Sequence, residues 1–104
     1  MSGTFQGRVA FAAVDVSPLG FANQSGDFES VANPNPGDFT LTLKNPIDPS
    51  EAVYFLEVMG KDGERGQVWR AACTDTTIQV FTRNAAGALS NEDFDLLVLV
   101  KPVQ

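Results

Sequence analysis

The sequence predicts an all-β fold, an antiparallel β-sandwich of about seven strands, jelly-roll or Ig-like, in one domain over residues 1–104. Three observations predict it. Apolar and polar residues alternate with a period of two in stretch after stretch. Gly, Pro, Asn and Asp cluster between these stretches about every ten residues, the turn chemistry of short strands. No window sustains the 3.6-residue period of an amphipathic helix.

The elements follow in order. Residues 1–4 read as a terminal arm. In the first strand Phe5, Gly7, Val9, Phe11 and Ala13 share one face, and Gln6, Arg8, Ala10 and Ala12 the other. Ser17-Pro18-Leu19-Gly20 closes it, and the small, polar stretch up to Gly26 reads as a long loop. A second strand runs over 27–33. Pro34-Asn35-Pro36-Gly37 then supplies a turn, because proline fixes φ and glycine tolerates positive φ. Residues 38–44 alternate most cleanly, with Phe39, Leu41 and Leu43 facing one way and Thr40, Thr42 and Lys44 the other. A one-residue slip would bury the threonines and the lysine, so this register is well specified.

Pro46 and Pro49 rule out a long helix in the next connection, although Ser50 and Glu51 suit a short helical turn. The strand over 53–59 is nearly continuous in apolar residues, the pattern of a central strand covered on both faces. Tyr54, Leu56 and Val58 form one row, and Val53, Phe55, Glu57 and Met59 the other. A charged, glycine-rich turn over 60–66 leads to strands at 67–73 and 76–83. A loop over 84–93 precedes the last strand, 94–101, which Pro102 ends.

Composition narrows the function. The chain has 104 residues and a formal net charge of −6. That charge disfavours nucleic acid, which needs a basic footprint, and anionic lipid surfaces. No apolar run approaches the roughly 20 residues that span a bilayer, and the N-terminus lacks the apolar core of a signal peptide. The expected place of synthesis is therefore the cytoplasm. The single cysteine, Cys73, lies in a strand, where a free thiol behaves as a small hydrophobe.

There is no histidine. A Ser-His triad, the usual general base near neutral pH and a zinc site of the N/S kind are all excluded. No phosphate-cradling glycine motif occurs. Asp62 with Glu64, or Glu92 with Asp93 and Asp95, could offer oxygens to calcium, but neither set has the spacing of a calcium loop, and turn carboxylates are ordinarily solvated. The reading is no enzyme, no catalytic residue, no metal and no cofactor. A hydrolase built on paired carboxylates is the least favoured alternative.

Four residues stand out as interface or ligand-binding candidates: Tyr54, Glu57, Trp69 and Arg70. Glu57 sits between Leu56 and Val58, where a lone buried carboxylate would be costly. Three placements are open to it: solvent, a pair with Arg70 or Arg8, or a subunit interface. Trp69 and Arg70 point to opposite faces of their strand, and both types are enriched at binding hot spots.

The order of the pieces resembles small β-sandwich modules of bacteriophage tail-fibre tips and head-fibre or decoration proteins. The likeness is carried by Gly7-Arg8-Val9-Ala10-Phe11, then Phe28-Glu29-Ser30-Val31-Ala32 and a Pro/Gly turn. Gly37-Asp38-Phe39-Thr40-Leu41-Thr42-Leu43 follows, then Ala52-Val53-Tyr54-Phe55-Leu56. Thr77-Ile78-Gln79-Val80-Phe81-Thr82 and Asp93-Phe94-Asp95-Leu96-Leu97-Val98-Leu99-Val100 close the series. The resemblance implies a homotrimer in a virion that stabilises the particle or attaches it to a host surface. It supplies no catalytic residues. Modules of this kind usually end a long fibre, whereas this sequence starts at Met1 with no shaft, which favours a freestanding subunit docked on a larger capsid or tail protein. The expected partners are therefore copies of itself, that larger virion protein and a host-surface glycan. A carbohydrate-binding module presenting Trp69, Tyr54 or Phe21 in a groove is the alternative.

Overall fold

A computed structural model describes residues 7–58 and 67–102. The eight strands are β1 (Arg8–Val16), β2 (Leu19–Gln24), β3 (Phe28–Asn35), β4 (Asp38–Leu43), β5 (Ala52–Val58), β6 (Gln67–Cys73), β7 (Thr77–Arg83) and β8 (Phe94–Val100). They form two four-stranded sheets, β2-β1-β8-β5 and β3-β4-β7-β6, and every pairing is antiparallel. A 3₁₀ turn, Pro49–Glu51, capped by the Asp48 carboxylate, precedes β5.

Among the described residues there are eight strands where about seven are expected. The stretch expected to be a long loop holds β2, which returns along β1 through the two-residue connection Ser17–Pro18. Leu19–Gln24 carries no hydrophobic alternation because β2 is an edge strand, and none of its residues is fully buried. The expected turn over 34–37 is shorter as well. β3 continues through Asn35, which pairs with Asp38, so Pro36 and Gly37 make the turn.

The sheets enclose a core in which inner rows interdigitate. Sheet β2-β1-β8-β5 contributes Ala10, Ala12, Val14, Phe94, Leu96 and Val98. The other sheet contributes Phe28, Phe39, Leu41, Leu43, Ile78 and Val80, and Ile47 plugs one end from its loop. Phe39 and Phe94 meet across the core edge to face, ring centroids 5.1 Å apart at 62°. On β1 it is the small row, Ala10 and Ala12, that faces inward, leaving room for these rings.

Two polar knots hold the ends. At one, Arg8 donates to Asp27 Oδ1 (2.6 Å), Asn45 O (3.0 Å) and Pro46 O (2.8 Å), binding the start of β1 to the loops before β3 and β5. At the other, Thr82 donates its backbone N–H to Gly37 O (2.8 Å) and its hydroxyl to Ser90 O. Gly37 in turn donates to Asn91 Oδ1 (2.7 Å). Gly37 has φ of 71°, and a Cβ there would press on Thr82 O and lie 2.8 Å from Ser90 N. Both reasons require glycine.

Gly37→Ala is therefore expected to destabilise the fold by about 2–4 kcal/mol, through left-handed strain and backbone overlap together. Urea denaturation of the purified variant measures this.

Candidate functional site

A residue buried on one face of a strand puts its neighbour on the opposite face. In sheet β2-β1-β8-β5 the three strands β1, β8 and β5 lie in matched register, so their outward residues form rows. Val9, Leu99 and Val53 are cross-strand partners, as are Phe11, Leu97 and Phe55, and then Ala13, Asp95 and Glu57. Val9, Phe11, Val53, Phe55 and Leu97 are 38–56% exposed. The result is an apolar outer face two rows deep and three strands wide. Solitary exposed apolar residues need no explanation, whereas a contiguous block is a candidate interaction surface.

This corrects the expectation for the strand at 53–59. Its described part, β5, is an edge strand with one half-buried row, packed against the core, and one exposed row. Its unbroken apolar run records a core face and an outer apolar face on the same strand.

One end of the face is acidic. Glu57 and Asp95 are direct cross-strand partners, and Asp15 lies beyond Ala13 on the outward side of β1. Partial burial, with the charges of Glu57 and Asp15, raises the Asp95 pKa above its ordinary value. Here the small side chain of Ala13 leaves a hollow of about 330 Å³ lined by Phe11, Phe55, Leu97, Asn23, Glu57 and Asp95. The opposite end carries the Lys101–Glu51 ion pair, Nζ to Oε2 3.0 Å, beside a second hollow that also touches Val53 and Leu99.

The four candidates separate. Glu57 is exposed on the outer face and belongs to the acidic end. It pairs with neither arginine considered for it. Arg8 is held by Asp27, and Arg70 lies over the Tyr54 ring, 4.8 Å from its centroid. Tyr54 is on the inner row of β5, and burial raises its phenol pKa. Its hydroxyl is buried and has no hydrogen-bond partner among the described residues. Tyr54 and Arg70 thus meet as a cation–π clasp where β5 approaches β6 at the open side of the sandwich. The backbone of Trp69 pairs opposite Phe81, and its side chain lies outside the described residues.

The calcium candidates do not converge. Asp93 accepts a hydrogen bond from the Val16 N–H (2.9 Å), Glu92 accepts one from Ser90 (3.2 Å), and Asp95 faces the outer surface. Asp62 and Glu64 lie outside the described residues. Among the described residues no three His, Cys, Asp or Glu side chains gather as a metal site would require. Sequence reasoning missed Val9, Phe11, Asp15 and Asp95 as members of one surface. The signal was the shared parity of Val9, Phe11 and Asp15 on their strand.

The carboxylates give opposite pH signatures. Burial acts to raise the Asp27 pKa, but hydrogen bonds from Ser25, Arg8 and Asn45 and the Arg8 charge together outweigh it and lower the pKa. Asp27 therefore stabilises the fold above the ordinary carboxylate range, and this contribution is lost as pH falls through its lowered pKa. Arg8→Met is expected to cost about 1–2 kcal/mol at neutral pH, with a smaller difference from the wild type in acid. Asp95 behaves oppositely. The folded state holds its proton more tightly than the unfolded chain, so stability falls as pH rises through the interval between the two pKa values. Asp95→Asn is expected to gain about 0.5 kcal/mol at neutral pH, and the gain should vanish in acid. Thermal melts across pH check both.

Comparison with protein-family models, with curated proteins and with solved structures finds no match to this chain.

Proposed function

We propose that this protein is a non-enzymatic structural subunit that works by assembly, in the manner of the phage virion modules its strand series resembles. Its place would be as a capsid decoration or head-fibre protein or a small tail-fibre subunit, serving particle stabilisation or host-surface attachment. The observation that carries the assembly reading is the outer face built from Val9, Phe11, Val53, Phe55, Leu97 and Leu99. These residues exceed what the monomer core uses, and their cost in water is recovered only when a partner covers them. The virion setting and the trimer come from the resemblance alone.

Carbohydrate binding is the second reading, and one observation favours it. The hollow at the acidic end sets Phe11 and Phe55 beside Asn23, Glu57 and Asp95, an apolar wall with polar groups at its margin.

Phe55→Lys tests the assembly reading. Phe55 is half exposed on an edge strand, so the variant is expected to keep its fold by circular dichroism and to lose self-association or virion incorporation. A wild type that stays monomeric by light scattering at about 100 µM, with virion incorporation unchanged by Phe55→Lys, would remove the basis for it. A glycan array separates the second reading: specific binding abolished by Asn23→Ala, with association intact, would favour the sugar.

A further inference from the structure

The sandwich leaves four edge strands, β2 and β5 in one sheet and β3 and β6 in the other. An edge strand points the N–H and C=O of alternate residues away from its sheet, and proteins ordinarily blunt it with a bulge, a proline or a lysine. Three of the four are blunted. The pairing of β2 with β1 shifts register at Ala13/Val14, and that of β6 with β7 shifts between Arg70 and Cys73. The pairing of β3 with β4 shifts twice, and β3 also holds Pro34. β5 has none of these devices. It pairs with β8 in unbroken register from Ala52↔Val100 to Val58↔Phe94, and Glu57 is its single charge. Among the described residues β8 is its only strand partner. Its outward residues Val53 and Phe55, 56% and 50% exposed, are the most exposed large apolar side chains among the described residues.

Area decides how a partner would be held. The exposed apolar side chains of the face offer roughly 450 Å² at ordinary side-chain areas, below the roughly 800 Å² per partner of a standard interface. A globular surface resting on the face would gain little. An extended segment laid along β5 adds a row of main-chain hydrogen bonds, and its alternate side chains supply selectivity.

Charge decides what that segment carries. The lysine at the far end of the face, Lys101, is already held by Glu51 at 3.0 Å. Glu57, Asp95 and Asp15 have no ion pair among the described residues. A residue added opposite Glu57 would have its Cβ about 5 Å from that of Glu57. An acidic residue there meets like charge. A lysine or arginine neutralises Glu57 and extends towards Asp95, over the hollow edged by Phe55 and Leu97. The next outward positions of the segment lie beside Phe55 and Val53, and suit apolar residues.

We propose that β5 is a strand-addition site whose occupant is an extended segment of another protein, apolar beside Val53 and Phe55 and carrying a lysine or arginine opposite Glu57. The proposal rests on the assembly reading and names how the partner is held.

Capped nine-residue peptides of alternating valine and threonine, with Lys, Gln or Glu at the centre, test it when titrated into the isotope-labelled full chain. By NMR the Lys peptide is expected to shift the β5 amides and to slow the exchange of alternate ones. It should bind more tightly than the Glu peptide by about fivefold or more, and Glu57→Lys should reverse that order. Glu57 is exposed, and an intact spectrum confirms that the variant folds. Methylating the peptide's backbone nitrogens at alternate positions should abolish binding in one parity and spare it in the other. Binding that tolerates both methylations, or that ignores the Glu57 reversal, would overturn the proposal. So would β5 amides already protected in a complex of two copies, which would mean self-pairing and leave the assembly reading standing. No shift at β5 with about 1 mM peptide would also overturn it. Phe55→Lys then separates the two readings: lost association or virion incorporation keeps assembly, and no loss removes both.

Discussion

Burial of the inner row of β8 is the constraint on which the rest depends. Phe94, Leu96 and Val98 are almost completely enclosed, with Phe94 set edge to face against Phe39 of the opposite sheet. β8 is flanked by β1 and β5, so its register sets theirs: Ala12 and Leu56 align with Leu96, and Ala10 and Tyr54 with Val98. A period of exactly two then leaves no freedom for the other face. Once the inner row is in the core, Asp95, Leu97 and Leu99 must face outward beside the outer rows of both neighbours. The apolar surface and its acidic end are thus consequences of core packing as much as features in their own right.

The charged groups divide by position. Arg8 and Asp27, joined at a loop-rich end of the sandwich, satisfy each other and three further partners, and the carboxylate is stabilised in its ionised form. Asp95, Glu57 and Asp15 sit on an open sheet face as like charges, and Asp95 resists ionisation. Residues that stabilise the fold are locally complete, whereas those on the outer face carry an electrostatic cost that a complementary surface would relieve. Tyr54 and Arg70 also hold the fold, since their stacking closes the side where β5 and β6 approach, although the buried Tyr54 hydroxyl has no hydrogen-bond partner among the described residues.

Legibility varied with how much a strand's two faces differ. Residues 38–44 alternate sharply, and their buried row, Phe39, Leu41 and Leu43, is the one the pattern indicates. Leu19–Gln24 shows no alternation, because an edge strand with neither face fully covered imposes none, and it was readable only as loop. Val53–Val58 is apolar on both parities. From one strand alone that pattern is the same whether both faces are enclosed or one awaits a partner, so sequence favoured a central position and the structure puts it at an edge. Glu57 stood out by being charged among apolar neighbours. Its cross-strand partner Asp95 did not, since 38 residues of chain separate them and only sheet register brings them together.

The sequence by itself determined the all-β class, the positions of seven strands and the exclusion of histidine-based chemistry. These depend on local rhythm, turn residues and composition, which need no knowledge of long-range pairing. Tertiary structure decided the eighth strand, the four-and-four division and the strand order. It also decided which of two apolar rows on β1 and β5 is core and which is surface. That last decision is non-local: a row is buried when another sheet's inner face lies against it, and no residue carries that information alone.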